Sequence, residues 1–407
     1  MLAAVDETTD LAGARLSGSM RRAFIPEIND QLTEAAAQWA ETNNATIELA
    51  FSDEWREVAD WAARTARGAD VVELFGNGAH LLSDRLVDVS DFAGELSDRH
   101  GGWSTAAESA GVVDGVWRAI PWAYTAHAIN SRTDLLDAAG ATPPATYDEL
   151  LDAATLLADN DLPRAGFSMG VQGPNDSSSL GYSMLWSFGG QEVDAGTGKV
   201  ALDSAGTRAA LDYWRELARV SHPAAQGFDE AADNEAFIDG EIALTQNASS
   251  IFWKARIEAP QIAEAMGHLA YPAGPAGRHQ LVEMNLLGVL QHTPNPAAAK
   301  SWLGFATNAE LMRARAVTSI GFYSPPLADF EDDPAMPWNA EARFAGLRAS
   351  GPAGHLPGWP GPSNIEAGLA YDNRSIVKMF AAVADGSATT DEAVRIASEE
   401  LKRVYET

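Results

Sequence analysis

The feature that most constrains this chain is a repeated change of hydrophobic period. Ile28, Leu32, Ala36 and Trp39 recur at helical spacing, and the short apolar run 46–51 (TIELAF) follows at strand length. The switch then repeats, with Trp55, Val58, Ala62 and Thr65 on a helix and 70–75 (DVVELF) as a strand. Strands that alternate with helices predict an α/β fold whose sheets are mostly parallel and flanked by helices. Further along, Thr146 and Glu149 form a capping box ahead of Leu150, Leu151, Ala154 and Leu157. Asn295-Pro296 predicts another helix start, and Thr389 with Glu392 opens a final helix that carries Val394, Ala397, Leu401 and Val404. No internal repeat is visible.

A chain of 407 residues exceeds what one hydrophobic core usually organises, so two domains are expected. Apolar residues make up 46% and charged residues 21%, which places the chain among globular rather than disordered proteins. No apolar stretch is long enough to span a bilayer. Asp6, Glu7 and Asp10 interrupt the first twenty residues, which therefore do not read as a signal peptide. The chain is either cytoplasmic or the mature part of an exported protein. The formal charge of −29 repels nucleic acid and anionic lipid, so neither is an expected partner. Cysteine is absent, which excludes thiolate catalysis, disulfides and thiolate metal sites, and leaves no thiol here for a lipid anchor.

Few motifs point to catalysis. Residues 166–170 (GFSMG) match the G-x-S-x-G elbow of serine hydrolases, which requires a strand, a sharp turn and then a helix. The loop-like 172–176 (QGPND) follows instead, and the flanks of Ser168 read as a strand passing through. The eight histidines show no metal-ligand spacing, and 329–333 (DFEDD) lacks the glycine and alternating ligands of a calcium loop, so no metal or cofactor is expected.

The aromatic residues carry more. Trp39, Trp55, Trp214 and Trp302 sit at core spacing, whereas Trp122, Trp186, Trp253 and Trp359 fall beside Gly, Pro or Asn, where loops are expected. Flat rings pack on the apolar faces of sugars while amides and hydroxyls bond the sugar's OH groups. The segment 239–250 (DGEIALTQNASS) reads as a turn, a strand over 241–245 and a helix start at Asn247–Ser250, the kind of strand end where α/β proteins bind ligands. Residues 271–277 (YPAGPAG) are a candidate crossing between domains. Residues 352–362 (PAGHLPGWPGP) are a candidate binding loop in which Trp359 has little to pack on.

From about residue 24 onward the chain resembles the family 1 extracellular solute-binding proteins of sugar ABC importers, the maltose-binding-protein-like class. The resemblance is carried, in the family's order, by 115–130 (GVWRAIPWAYTAHAIN), 185–190 (LWSFGG), 234–249 with its Asn-x-x-Phe, Gly-Glu and Thr-x-Asn-x-Ser elements, 321–325 (GFYSP), 358–362 (GWPGP) and the 379–405 passage. It implies a two-lobed periplasmic-binding-protein fold of type II, with a ligand cleft between lobes that close on the solute. The implied lobes are 1–120 plus 282–322 and 121–281 plus 323–407, with chain crossings near 120, 282 and 323. It further implies a monomeric, non-enzymatic subunit, periplasmic or extracellular and membrane-associated, that delivers a carbohydrate or carbohydrate-like solute to ABC permease subunits. Ligand contacts carried over are Asn77, Trp122, Tyr124, Trp186, Asn247, Ser249, Asn285, Tyr323 and Trp359. Trp122 and Trp359 would stack on sugar faces; Asn247 and Asn285 would bond hydroxyls. The chain departs from the family at 13–22 (GARLSGSMRR), a poor strand, where Arg21 and Arg22 could reach an anionic group instead. The alternatives are a carbohydrate-active hydrolase and a lectin-like surface binder without transport.

Overall fold

A computed structural model describes residues 10–125, 127–170, 174–229 and 231–406. The chain divides into two compact units. The first holds the described residues through Thr125 together with Glu283–Met336, and the second holds those of 126–282 and 337–407.

The first unit is built on a five-stranded sheet in the order Thr46–Ser52, Arg15–Arg21, Val71–Phe75, Glu283–Val289, Ile120–Thr125. The first three strands are parallel, and Glu283–Val289 runs antiparallel to both of its neighbours. Helix Pro26–Asn43 starts with proline at its first turn, where the missing N–H costs nothing, and ends at Asn44 in the left-handed conformation with φ 48°. Its stripe of Ile28, Leu32, Ala35, Ala36 and Trp39 is buried. Trp39 meets Trp302 of helix Pro296–Ala306 edge to face at 5.9 Å and donates its indole N–H to Ser301 Oγ at 3.1 Å. Asn295 precedes that helix but makes no side-chain cap; its amide donates to the Arg15 carbonyl instead.

The stretch expected to be a poor strand is a full one. Arg15–Arg21 lies inside the sheet, with Leu16 and Met20 buried. Local composition misleads here because partners across the sheet decide the conformation. Ser17 donates its N–H and its hydroxyl to the Asp70 carboxylate, at 2.8 and 3.0 Å. Gly18 makes room for Leu49, whose Cδ2 would lie 2.6 Å from a Cβ at that position.

The second unit has a four-stranded sheet in the order Met266–Leu269, His127–Arg132, Ile242–Ala248, Arg164–Ala165. Here His127–Arg132 is the reversed strand and makes antiparallel ladders on both sides. The expected mostly parallel sheets are therefore mixed. In each unit the strand that follows a chain crossing enters against the direction of the rest. Helices Pro174–Ser187, Ala205–Val220, Ser375–Ala384 and Thr390–Tyr405 share one core that includes Trp186, Trp214, Phe380 and Leu401. Both predicted capping boxes form, at Thr146 with Glu149 and at Thr389 with Glu392.

Several expected boundaries move. Ile120–Thr125 completes the first sheet, so the first crossing follows Thr125 rather than residue 120. Residues 323–336 stay with the first unit because Tyr124 and Ser324 exchange backbone hydrogen bonds at 2.8 and 2.9 Å and Trp103 bridges Leu327, which shifts the third crossing from near 323 to 336. The YPAGPAG stretch is internal to the second unit, held by the Ala273 N–H on the Ala145 carbonyl at 2.9 Å, and crosses nothing. Gly18→Val should force the Leu49 contact apart and cost roughly 1–3 kcal/mol, an overpacking penalty measurable by urea denaturation.

Candidate functional site

In the first unit, the sequence-derived contacts gather at one edge of the sheet. Asn77 follows strand Val71–Phe75, Trp122 and Tyr124 lie near the carboxyl end of Ile120–Thr125, and Asn285 lies near the amino end of the reversed strand. Reversal brings these ends together: Asn285 is paired with Phe75 on one side and Ala123 on the other, and Met284 with Tyr124. Tyr323 completes the group by stacking on Trp122 at 5.0 Å and 27°. Carboxyl ends of strands are where open α/β sheets bind ligands. The Asn285 side chain is fully buried. Its Oδ1 accepts no hydrogen bond among the described residues, and its amide N reaches only the Glu283 carbonyl at 3.5 Å.

Beneath this edge lies a charged layer that the sequence did not reveal. Arg315, on helix Ala309–Thr318, is fully buried with its guanidinium 5.1 Å from the Trp122 ring and donates to the Ala306 carbonyl at 2.7 Å. Burial lowers it to about 10, against the favourable charge of Glu73. Glu73 accepts the Arg21 backbone N–H at 2.9 Å. Burial pushes its carboxyl up to about 7, opposed by that hydrogen bond and by the charges of Arg21 and Arg315. The ring of Trp122 is thus packed against protein at 2% exposure. The Arg21 guanidinium lies 5.9 Å from the Phe75 ring, and that of Arg22 is used locally, by the Phe51 carbonyl at 3.0 Å and Asp53 at 3.5 Å.

In the second unit, strand Ile242–Ala248 extends through the residues read as a helix start, and helix Ser250–Glu258 begins only after Ser249. Asn247 is committed to protein: its amide donates to Asp233 at 2.9 Å and to Asp176 at 3.4 Å, and its Oδ1 accepts from Ser250 at 3.3 Å. It therefore orients two carboxylates rather than offering a free amide. Those carboxylates, with Ser168, Asp229, Thr245 and Gln246, line a small recess with room for about one water-sized group. Burial pushes the Asp233 carboxyl up to about 6, against donation from Asn247 and Thr245. His127 approaches Asp176 at 3.5 Å, but burial lowers the imidazole to about 3, so the contact is dipolar and no ion pair forms. Asp176, Asp233 and Gln246 were missed as lining residues. Only the Asn-x-x-Phe element beginning at Asn234 pointed toward them.

Trp186 and Trp359 meet each other and are not among the residues that line this recess. Trp186 lies in helix Pro174–Ser187, not in a loop, and is 1% exposed. Trp122 and Trp253 likewise fall within regular elements, Ile120–Thr125 and Ser250–Glu258. Trp359 does lie in a loop, but it has partners to pack on. It stacks on His355 at 4.0 Å and 10°, sits at 4.5 Å from His279 and meets Trp186 edge to face at 5.6 Å. Glu192 anchors this loop by accepting from the Gly358 N–H at 3.1 Å and the Tyr182 hydroxyl at 2.8 Å.

Ser168 does not sit on a nucleophile elbow. The strand before it ends at Ala165, and the next helix begins at Pro174; Gln172 and Gly173 lie outside the described residues. Its hydroxyl donates to the Phe228 carbonyl at 3.3 Å and accepts the Gly170 N–H at 3.0 Å, with no imidazole bonded to it. Among the described residues there is no cluster of three or more metal-ligating side chains, and no helix long and apolar enough to cross a membrane.

A family model described as bacterial extracellular solute-binding protein matches residues 34–345. The chain belongs to that family. Solved structures with the same fold include the maltose-bound T. maritima MalE3, at 19% identity and TM-score 0.80 over 96% of this chain and 100% of that one. A sugar transporter protein from Arthrobacter chlorophenolicus A6 with bound laminaribiose aligns at 15% identity and TM-score 0.80, over 96% and 99%. A solute-binding protein from Agrobacterium radiobacter K84 in complex with ribitol aligns at 19% identity and TM-score 0.76, over 98% and 100%. No curated protein sequence matches the chain.

In this solute-binding protein Glu73 gives the first unit a pH signature. Its folded-state carboxyl titrates near 7, above the ordinary value of 4.5, so the folded chain holds a proton that the unfolded chain releases. The stabilising contribution is complete below about 4.5 and is lost as pH rises through about 7. Glu73→Gln should remove that slope, so the variant gains stability relative to wild type between pH 5 and pH 8 in urea titrations. Parallel curves would place the Glu73 carboxyl at its ordinary value.

Proposed function

We propose that the protein is the solute-binding subunit of an ABC importer. It captures a carbohydrate or carbohydrate-like solute outside the cytoplasm, in association with the membrane, and hands it unchanged to the permease subunits. It acts as a monomer, without cofactor, metal or nucleic acid. The observation that carries this reading is the strand-end group of Asn285, Trp122, Tyr124 and Tyr323 in a member of the extracellular solute-binding family. Aromatic faces beside an unsatisfied buried amide oxygen suit a ring rich in hydroxyl groups. The sugar and polyol ligands of the MalE3, laminaribiose-bound and ribitol-bound structures support the same class. The hydrogen bonds that occupy Ser168 count against the hydrolase alternative.

A thermal-shift screen of sugars, polyols and glycosides tests the reading. A micromolar binder at millimolar concentration adds about 4 kcal/mol of stability, a shift well above noise. No shift from any member, with the protein folded, would turn the search toward other solutes. With a ligand in hand, Asn285→Ala should weaken binding about tenfold while leaving the melting temperature of the free protein nearly unchanged, because Oδ1 has no partner to lose among the described residues. Trp359→Ala should likewise lower affinity without unfolding the chain; unchanged affinity removes that loop from the ligand contacts.

A further inference from the structure

Resting on the solute-binding reading, we propose that the recess of the second unit receives a protonated amine, so that the solute is an amine-bearing sugar rather than a neutral one. Three carboxylates, those of Asp176, Asp229 and Asp233, line the recess, and no lysine or arginine is among its described lining residues. The chain's general acidity accounts for carboxylates that face solvent. It does not account for Asp233, which is 4% exposed.

Burying a carboxylate costs stability unless it is paired and fully hydrogen-bonded. Asp233 is not fully provided for, although the backbone N–H groups of Asn234 and of Asp233 itself also favour its charged form. Its Oδ2 accepts from Asn247 at 2.9 Å and Thr245 at 3.3 Å, while Oδ1 is buried and accepts nothing among the described residues. Lys254, on helix Ser250–Glu258, is turned to Glu235 and Glu258 at 3.9 and 3.8 Å. His127 beside Asp176 is neutral and brings no charge. An ammonium group supplies what Oδ1 lacks, a positive charge that donates a charge-assisted hydrogen bond.

A second buried atom in the same recess narrows the class. Gln246 Nε2 is a donor with no acceptor among the described residues. A ligand that satisfies both atoms presents a cationic donor close to an acceptor oxygen, the pattern of an amine and hydroxyl on one sugar ring. The recess has room for about one water-sized group, so the ammonium enters it and the ring that carries it stays at the mouth.

Calorimetry on matched pairs at pH 7.5 decides the matter: glucosamine against glucose, galactosamine against galactose, and chitosan disaccharide against cellobiose. The amine member of at least one pair should bind about tenfold or more tightly than its neutral partner. Asp233→Asn, which keeps the side chain's shape, should abolish that preference. Where that variant does not fold, Asp176→Asn, at a partly exposed position, replaces it and should at least halve the ratio. Neutral members that bind as well as or better than their amine partners overturn the inference, as does a preference that survives both substitutions. If none of the pairs binds while a neutral sugar from the thermal-shift panel does, the amine inference falls and the solute-binding reading stands. Silence from every sugar overturns the amine inference together with the carbohydrate ligand, and turns the search to other solutes.

Discussion

The structure depends on the insertion of one reversed strand into each sheet. Glu283–Val289 lies between Val71–Phe75 and Ile120–Thr125, and His127–Arg132 between Met266–Leu269 and Ile242–Ala248. A reversed strand places its amino end beside the carboxyl ends of its neighbours. That is why Asn285, early in its strand, lies level with Phe75 and Ala123 late in theirs. In the second unit the same geometry sets Ala128 opposite Asn247, where the Asn130 amide also donates to the Asn247 carbonyl at 2.9 Å. Each polar group at a strand end is positioned by ladder hydrogen bonds that a uniformly parallel sheet would have distributed differently.

Much of this was legible in the sequence, and the exceptions share a cause. Elements whose signal is local were read correctly: the capping boxes at Thr146 and Thr389, the buried stripe of Pro26–Asn43, the strand at Thr46–Ser52. Elements fixed by distant partners were not. Arg15–Arg21 reads as a poor strand because its Gly and Ser residues have low strand propensity, yet Asp70 and Leu49 hold it inside the sheet. Trp186 and Trp122 looked like loop residues because Gly or Pro stands nearby, whereas each belongs to a regular element packed on a core or on a buried arginine. The direction of a strand leaves no trace in a hydrophobic pattern, so mixed sheets were read as parallel.

The candidate contacts show the same division. Residue types could be chosen from motifs, and the sheet edge of the first unit does assemble Asn77, Trp122, Tyr124, Asn285 and Tyr323 from well-separated positions. What the motifs could not convey is which polar atoms are already used. Asn247 and Asn285 look interchangeable in sequence. In the folded chain one amide is bound by two carboxylates, and the other has an oxygen with no partner among the described residues. Buried carboxylates are equally silent in sequence: Glu73, Glu192 and Asp233 cannot be told from the acidic surface until their surroundings are known. Each is raised by burial, yet their partners differ, with Arg21 and Arg315 near the first, a tyrosine hydroxyl on the second and an amide on the third.

The late arrival of Glu283–Val289 also shapes how the first unit can form. During synthesis, Val71–Phe75 and Ile120–Thr125 emerge more than a hundred residues before the strand that joins them. Until then each presents a row of unpaired backbone groups flanked by apolar side chains, a template on which another chain can pair. Contacts this distant in sequence form slowly, and the exposed interval is when association competes with folding. A chain cut after Val282 would therefore not be a smaller stable protein. It would hold two open strand edges and lack the residue, Asn285, that completes the polar group at their ends.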